Sequence, residues 1–300
     1  MHDLIIIGAG PAGITAAVYA ARKRLSTLVI SEDIGGQAAW SGDIENYTGY
    51  QFITGPELAS KFEEHLKSFD IILKESETVT DVRRAGDKIL VKTNKNVYEA
   101  KTVIIASGKV PRPLDVPGEK EFKNRGLTYC ATCDAPLFKG KDVAVIGGGN
   151  SALDASLQLL KIARRIYLIN IEEKLSGDPV MREKAERADI LTVMNKSRVR
   201  KIIGDGKVKA IEVDTGGESK RLEVEGVFVE IGLVPNSGFA ADVDKNELGE
   251  IKVDRHNRTN APGIFAAGDV TDVPEKQIII AAGEGSRAAL AVFRYLSQQK

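Results

Sequence analysis

Leu4-Ile5-Ile6-Ile7-Gly8-Ala9-Gly10-Pro11-Ala12-Gly13 decides the fold. Four apolar residues in a row read as a buried parallel strand, and the glycines after them read as a tight turn. The alanine-rich run from Ile14 to Arg22 favours a helix, and Thr27-Leu28-Val29-Ile30 reads as the next strand. Strand, glycine turn, helix, strand is the order found in dinucleotide-binding units. Its glycines let the backbone approach a pyrophosphate, and the helix N-terminus supplies N–H groups and partial positive charge. Glu32, about 20 residues beyond the turn, falls where an acid bonds a ribose hydroxyl.

The pattern returns at Asp142-Val143-Ala144-Val145-Ile146, followed by Gly147-Gly148-Gly149-Asn150-Ser151-Ala152, a helix to about Lys161 and a strand Ile166-Tyr167-Leu168-Ile169. Gly8, Gly10 and Gly13 align with Gly147, Gly149 and Ala152, so the chain contains an internal repeat. A single glycine turn can serve packing alone; two at matching positions argue for two nucleotide sites.

A length of 300 residues suggests about two domains. Composition, 43% hydrophobic and 28% charged with 29 glycines, is that of an α/β protein rather than a disordered chain. Basic and acidic residues balance at 42 each, which gives no electrostatic reason to expect nucleic acid or a membrane surface as partner. No signal-peptide pattern precedes the first strand and no apolar run approaches ~20 residues, so a cytoplasmic location is expected.

Each repeat is followed by β-rich sequence, Val79 to Ala106 and Val199 to Ile231. Turn signals at Gly204-Asp205-Gly206 and Thr215-Gly216-Gly217 make the second an antiparallel meander. Proline-rich Lys109 to Pro117 and Gly232 to Gly238 read as crossings between domains. The expected fold is α/β: two Rossmann-like three-layer ββα dinucleotide-binding domains, the second inserted into the first. Residues 1–112 and 243–300 form one domain and 113–242 the other. Near the C-terminus, Gly263 to Val270 reads as a strand ending in Gly268-Asp269, followed by a helix from Gln277 to Ser297.

Cys130-Ala131-Thr132-Cys133-Asp134 holds the only two cysteines. Thiols two residues apart suit reversible disulfide chemistry. A zinc half-site is the alternative, but zinc takes about four ligands and His2, His65 and His256 stand at no ligand spacing. Idle buried thiols are the other alternative.

The ordered set of GAGPAG at 8–13, Gly35-Gly36-Gln37, Glu45-Asn46-Tyr47, CATCD at 130–134, GGGNSA at 147–152 and AAGDV at 266–270 resembles the low-molecular-weight thioredoxin reductases. The reductase portion of the alkyl hydroperoxide reductase flavoprotein belongs to the same group. The resemblance runs essentially from end to end. It implies a homodimeric, FAD-dependent thioredoxin-disulfide reductase that carries electrons from NADH or NADPH to a thioredoxin- or glutaredoxin-like protein. Gly8, Gly10, Pro11, Ala12, Gly13, Glu32, Gly36, Gln37, Asn46, Gly268, Asp269, Gln277 and Ile278 would hold FAD, with Val82 and Gly108 as further cofactor-binding candidates. Gly147, Gly149, Asn150, Ser151 and Ala152 would meet the nicotinamide nucleotide. Cys133 would face the flavin, Cys130 would exchange with the substrate and Asp134 would move a proton. One dithiol cannot pack on a flavin and protrude to a partner at once, so the inserted domain is expected to swing about its two crossings.

One stretch departs from the family. NADPH-dependent members carry an arginine cluster after the second strand of the inserted domain, where this chain reads Asn170-Ile171-Glu172-Glu173-Lys174-Leu175-Ser176-Gly177-Asp178. Arg164 and Arg165 precede that strand, at its wrong end. Two glutamates would repel a 2′-phosphate, while Asn170 could bond a free hydroxyl, so NADH is preferred. A donor other than a pyridine nucleotide, or a ferredoxin-linked flavin oxidoreductase, is the alternative, as is a redox sensor that keeps the fold without turnover. Peroxide-reductase flavoproteins carry an N-terminal domain with its own CxxC; here such a partner is expected to be a separate protein.

Overall fold

The computed structural model describes residues 1–299 apart from Gly42; the side chains of Asp43 and Cys133 also lie outside the described residues. Two compact units divide the chain, Met1–Val110 with Val234–Lys300, and Pro111–Leu233.

In the first unit the order of the main sheet is Ile72–Lys74, Thr27–Ile34, His2–Ala9, Val97–Ile105, Lys88–Thr93, Val79–Ala85. The first four strands run parallel and the last two continue antiparallel. Ile264–Ala266 adds in parallel to the end of Val97–Ile105. Alternation in His2–Ala9 sorts its side chains between two cores. Leu4 and Ile6 enter the core lined by the helices Pro11–Arg22 and Ile278–Gln298, whereas Ile5 and Ile7 enter the core on the opposite face. Each such fully buried side chain contributes roughly 1.5–3 kcal/mol relative to exposure.

The boundary expected at residue 243 lies earlier. Residues 234–242 pack with the first unit: the Val82 N–H donates to the Phe239 carbonyl at 3.0 Å, and Ala240 and Val243 lie in the same core as Ile5. Burying that segment's apolar residues outweighs the proline and glycine that suggest a continuing linker. The connecting segments Lys109–Pro111 and Leu233–Pro235 form a two-stranded ribbon.

The second unit has a parallel sheet in the order Leu127–Thr128, Gly226–Val229, Asp142–Ile146, Arg165–Ile169, Leu191–Met194. Val143, Val145 and Phe228 face the core beneath the helix Asn150–Leu159. Ala144, Ile146, Val227 and Val229 face a three-stranded antiparallel sheet, Ser197–Asp205, Lys207–Thr215 and Glu218–Glu223. The meander therefore stops at Glu223. Gly226–Val229, read from sequence with it, is buried throughout and pairs on both edges inside the parallel sheet. Among the described residues, no helix is long and apolar enough to cross a membrane.

Candidate functional site

Both glycine turns stand at the reversal of strand order in their sheets, where open α/β sheets bind ligands. Gly8 has a φ of +101°, and a Cβ there would lie 2.4 Å from the Ala106 carbonyl oxygen on the neighbouring strand. A Cβ on Gly13 would lie 1.9 Å from the Gly8 carbonyl oxygen, so the turn closes only with glycine at both places. Gly10 differs: it sits at the N-cap of Pro11–Arg22 in extended backbone, and an added Cβ would meet nothing within 4 Å. A helix N-terminus with no capping side chain and open space over its first glycine is the cradle a pyrophosphate fits.

Around this cradle the structure gathers residues far apart in sequence. The Asn46 amide donates to the Gln277 side-chain oxygen at 3.1 Å, and the Gln37 amide donates to the Lys109 carbonyl at 3.0 Å. A Cβ on Gly36 would lie 3.3 Å from the Gly10 Cα, and Ala12 meets Gly268 in the same way at 2.9 Å. Glu32 is exposed near the end of its strand and accepts the Thr78 hydroxyl. Gly108 has a φ of +62° and no obstruction beside it, while its carbonyl accepts the Asn236 N–H. Asp269 is partly buried and its carboxyl is pushed up by that burial, with Lys276 and Lys109 acting against the shift. Ile278 begins the last helix, with Gln277 at the N-cap position and making no side-chain cap bond. Val82 is 1% exposed with its N–H committed to Phe239, so its side chain serves the core.

Two residues of this region carried no sequence signal. Ser31 accepts the Ala9 N–H at 3.0 Å and ties the glycine turn to the second strand. Glu284, 2% exposed on the last helix, accepts the Gly268 N–H at 2.8 Å and holds the Gly268-Asp269 turn; burial pushes its carboxyl up.

In the second unit Gly147 has a φ of +143°, and its Cβ would lie 2.2 Å from the Glu230 carbonyl oxygen. Gly149 caps Asn150–Leu159, and the Ser176 hydroxyl, 4.0 Å away, is the nearest atom to an added Cβ. Ser151 is exposed on the first turn and Ala152 is buried. The loop Ser176–Asp178 folds against this turn: Ser176 N–H donates to the Gly148 carbonyl, and the Asn150 side-chain oxygen accepts the Asp178 N–H at 2.7 Å.

Asn170 is 3% exposed and spends its amide locally. Its Nδ2 donates to the Glu172 carbonyl and to Asn195 Oδ1, and its Oδ1 accepts the Glu172 N–H. A buried amide needs those partners, so Asn170 shapes the loop, and Glu172 beside it is exposed. Glu173 pairs with Lys196 at 2.5 Å. Arg164 holds Asp142 through two hydrogen bonds of 2.8 and 2.9 Å, and Arg165 donates to the Tyr167 hydroxyl, both at the opposite end of the strand.

Cys130 follows the edge strand Leu127–Thr128 and is held in a disulfide. The Thr128 hydroxyl organises the turn beyond it by accepting the Cys130 N–H at 3.1 Å and donating to the Asp134 carboxylate. The Asp134 N–H returns to the Cys130 carbonyl at 3.2 Å across the helical turn Ala131–Asp134. Cys133 belongs to that turn, but its side chain, the expected flavin-facing sulfur, is outside the described residues. Among the described residues, no three or more His, Cys, Asp or Glu side chains group as metal ligands.

Comparison with known proteins gives the family and the fold of the chain. Residues 2–285 match the family model described as pyridine nucleotide-disulphide oxidoreductase. The chain is 43% identical over 297 residues to a Bacillus subtilis protein called NADH dehydrogenase, covering 98% of this chain and 58% of that one. It is 42% identical over 301 residues to the F component of alkyl hydroperoxide reductase from Xanthomonas campestris pv. phaseoli, covering 98% and 57%. It thus spans a little under three fifths of the length of these curated relatives. The crystal structure of Lactococcus lactis thioredoxin reductase superposes with a TM-score of 0.87 at 35% identity, covering 99% of this chain and 100% of that one.

Proposed function

The chain belongs to the pyridine nucleotide-disulphide oxidoreductase family, and on that premise we propose that it is a flavin-dependent reductase of protein disulfides. One observation carries the reading. Cys130, held in a disulfide, leaves the sheet with a single strand between it and the strand that feeds the second glycine turn. The substrate is a small thioredoxin- or glutaredoxin-like dithiol protein, and the enzyme works as a homodimer.

The Gly8–Gly13 turn, with Gly36, Gln37, Asn46, Gly108, Gly268, Asp269 and Gln277 around it, would hold FAD. Gly147, Gly149, Asn150 and Ser151 would hold the nicotinamide nucleotide. When bound, the two cofactors supply two-electron hydride chemistry, and the protein supplies placement. The chain's own part is thiol–disulfide exchange. In the reduced pair Cys130 attacks the substrate disulfide as a thiolate and forms a mixed disulfide, releasing one substrate thiolate. Cys133 then attacks the Cys130 sulfur, closes the enzyme disulfide and releases the second, so two electrons pass to the substrate. Asp134, which accepts the Thr128 hydroxyl, would hold or give a proton at these sulfurs.

The donor is NADH. Glu172 stands where arginines pair with a 2′-phosphate, and the two arginines nearest in sequence to the strand are engaged at its far end. The same missing cluster supports a second reading, the same reductase fed by another donor. Anaerobic mixing of the FAD-loaded protein with NADH or NADPH tests this: bleaching faster with NADH is expected. Faster bleaching by NADPH overturns the donor, and no bleaching by either favours the second reading.

A further inference from the structure

Glu230 has no part in the roles given above, yet it occupies the centre of the second unit's site. It directly follows the strand Gly226–Val229. On one side Thr128 lies opposite Phe228 in parallel register, so Cys130 and Glu230 leave the sheet side by side two residues later. On the other side Ile146 lies opposite Val229, the Glu230 N–H donates to the Ile146 carbonyl at 2.8 Å, and Gly147 packs on the Glu230 carbonyl. Its carboxylate faces the N–H of Ala131, the peptide directly after Cys130. An acid therefore stands between the disulfide and the nucleotide turn, at the reversal of strand order.

We propose that Glu230 is a proton-linked positioning residue for the redox pair, taking up a proton when the neighbouring disulfide is reduced and so tying exchange at Cys130 to pH. Reduction breaks the S–S bond and places the donor's two electrons on the two sulfurs. One proton makes a thiol, and the other sulfur remains a thiolate. Negative charge beside the carboxylate raises its proton affinity, and a proton from solvent neutralises Glu230. The ionised carboxylate in turn disfavours the thiolate at Cys130, and accepting the Ala131 N–H holds the peptide through which the turn begins.

The surroundings suit this. Burial pushes the Glu230 carboxyl up to about 7, with the Ala131 N–H acting against it and Asp154 on the helix Asn150–Leu159 adding to it. Asp134, on the turn next to Cys130, bonds Thr128. The glycine turn on the remaining side brings no side chain at Gly147. Glu230 is thus poised to change charge in the range where thiols exchange.

The proposal rests on the dithiol reading above, and its test separates the two. The holoenzyme is reduced, and alkylation of Cys130 by iodoacetamide is followed by mass spectrometry across neutral pH in wild type, Glu230→Gln and Glu230→Asp, with turnover on a thioredoxin disulfide measured alongside. Wild type should titrate in two coupled steps. Glu230→Gln should titrate in one and alkylate up to about twofold faster at pH 7 and up to about tenfold faster near pH 8, where the wild-type carboxyl is ionised, and Glu230→Asp should restore the second step. Superimposed profiles for wild type and Glu230→Gln overturn the proposal. Should the Gln variant not fold, a single-step wild-type profile overturns it equally. Turnover that survives Cys130→Ser removes the dithiol reading itself, whereas turnover that depends on Cys130 beside superimposed profiles removes only the role of Glu230.

Discussion

Gly10→Ala and Gly13→Ala differ by one methyl group each and should fail in opposite ways. At Gly13 the new Cβ would stand 1.9 Å from the Gly8 carbonyl oxygen, a backbone atom that cannot rotate aside. Relieving that overlap shifts the turn or the helix, at a cost of at least ~1–3 kcal/mol of stability with or without cofactor. At Gly10 the backbone is extended, φ −79° and ψ −174°, and the Cβ has no protein neighbour within 4 Å. Alanine there restrains the unfolded chain by about 0.4–1 kcal/mol but is a slightly poorer N-cap than glycine. The apoprotein midpoint should therefore stay within a few degrees of wild type. The same methyl group fills the cradle over the helix N-terminus and pushes a pyrophosphate away from its N–H groups. Losing two such charge-assisted hydrogen bonds costs about 3 kcal/mol, on the order of a hundredfold in affinity. Thermal unfolding of the two apoproteins, with FAD affinity from flavin fluorescence quenching, checks both halves. If Gly10→Ala binds FAD as tightly as wild type, the pyrophosphate does not sit over Gly10. A Gly10→Ala apoprotein as unstable as Gly13→Ala would mean the space beside Gly10 is not open.

Other consequences are equally concrete. Glu119, 4% exposed, accepts the Leu114 and Asp115 N–H groups and the Tyr129 hydroxyl, so Glu119→Ala should cost about 3 kcal/mol by chemical denaturation; a loss under 1 kcal/mol would contradict that network. The Glu230 carboxyl, raised from 4.5 to about 7, binds a proton in the folded state across a range where the unfolded chain has released it. Stability should accordingly fall as pH rises from 4.5 through 7, and Glu230→Gln should remove about 3 kcal/mol of that fall. Parallel pH profiles for the two proteins would refute it. Glu172→Arg combined with Ile171→Arg should raise kcat/KM for NADPH relative to NADH by on the order of tenfold, measured by steady-state turnover; an unchanged ratio would place the ribose elsewhere.

What the sequence made legible is what local chemistry dictates. Leu4–Ile7 before Gly8 and Val143–Ile146 before Gly147 fix strand, turn and helix through side-chain period and glycine φ, and both units fold so. Gly226–Val229 reads as strand but not as which sheet, because a short apolar run carries no record of its neighbours. Asn170 reads as a ribose ligand until its burial shows where its amide is spent. Ser31, Glu230 and Glu284 are ordinary polar residues in sequence. Their importance comes from contacts with Ala9, Ala131 and Gly268, which only the tertiary fold creates.

On the proposed function, cofactor and cysteine pair form one electron path. Anaerobic reductive titration of the FAD-loaded protein measures it directly, counting electrons taken up per flavin. A flavin and a disulfide accept two electrons each, so about four per FAD are expected in wild type and about two in Cys130→Ser. Uptake of only about two in the wild-type protein would contradict it.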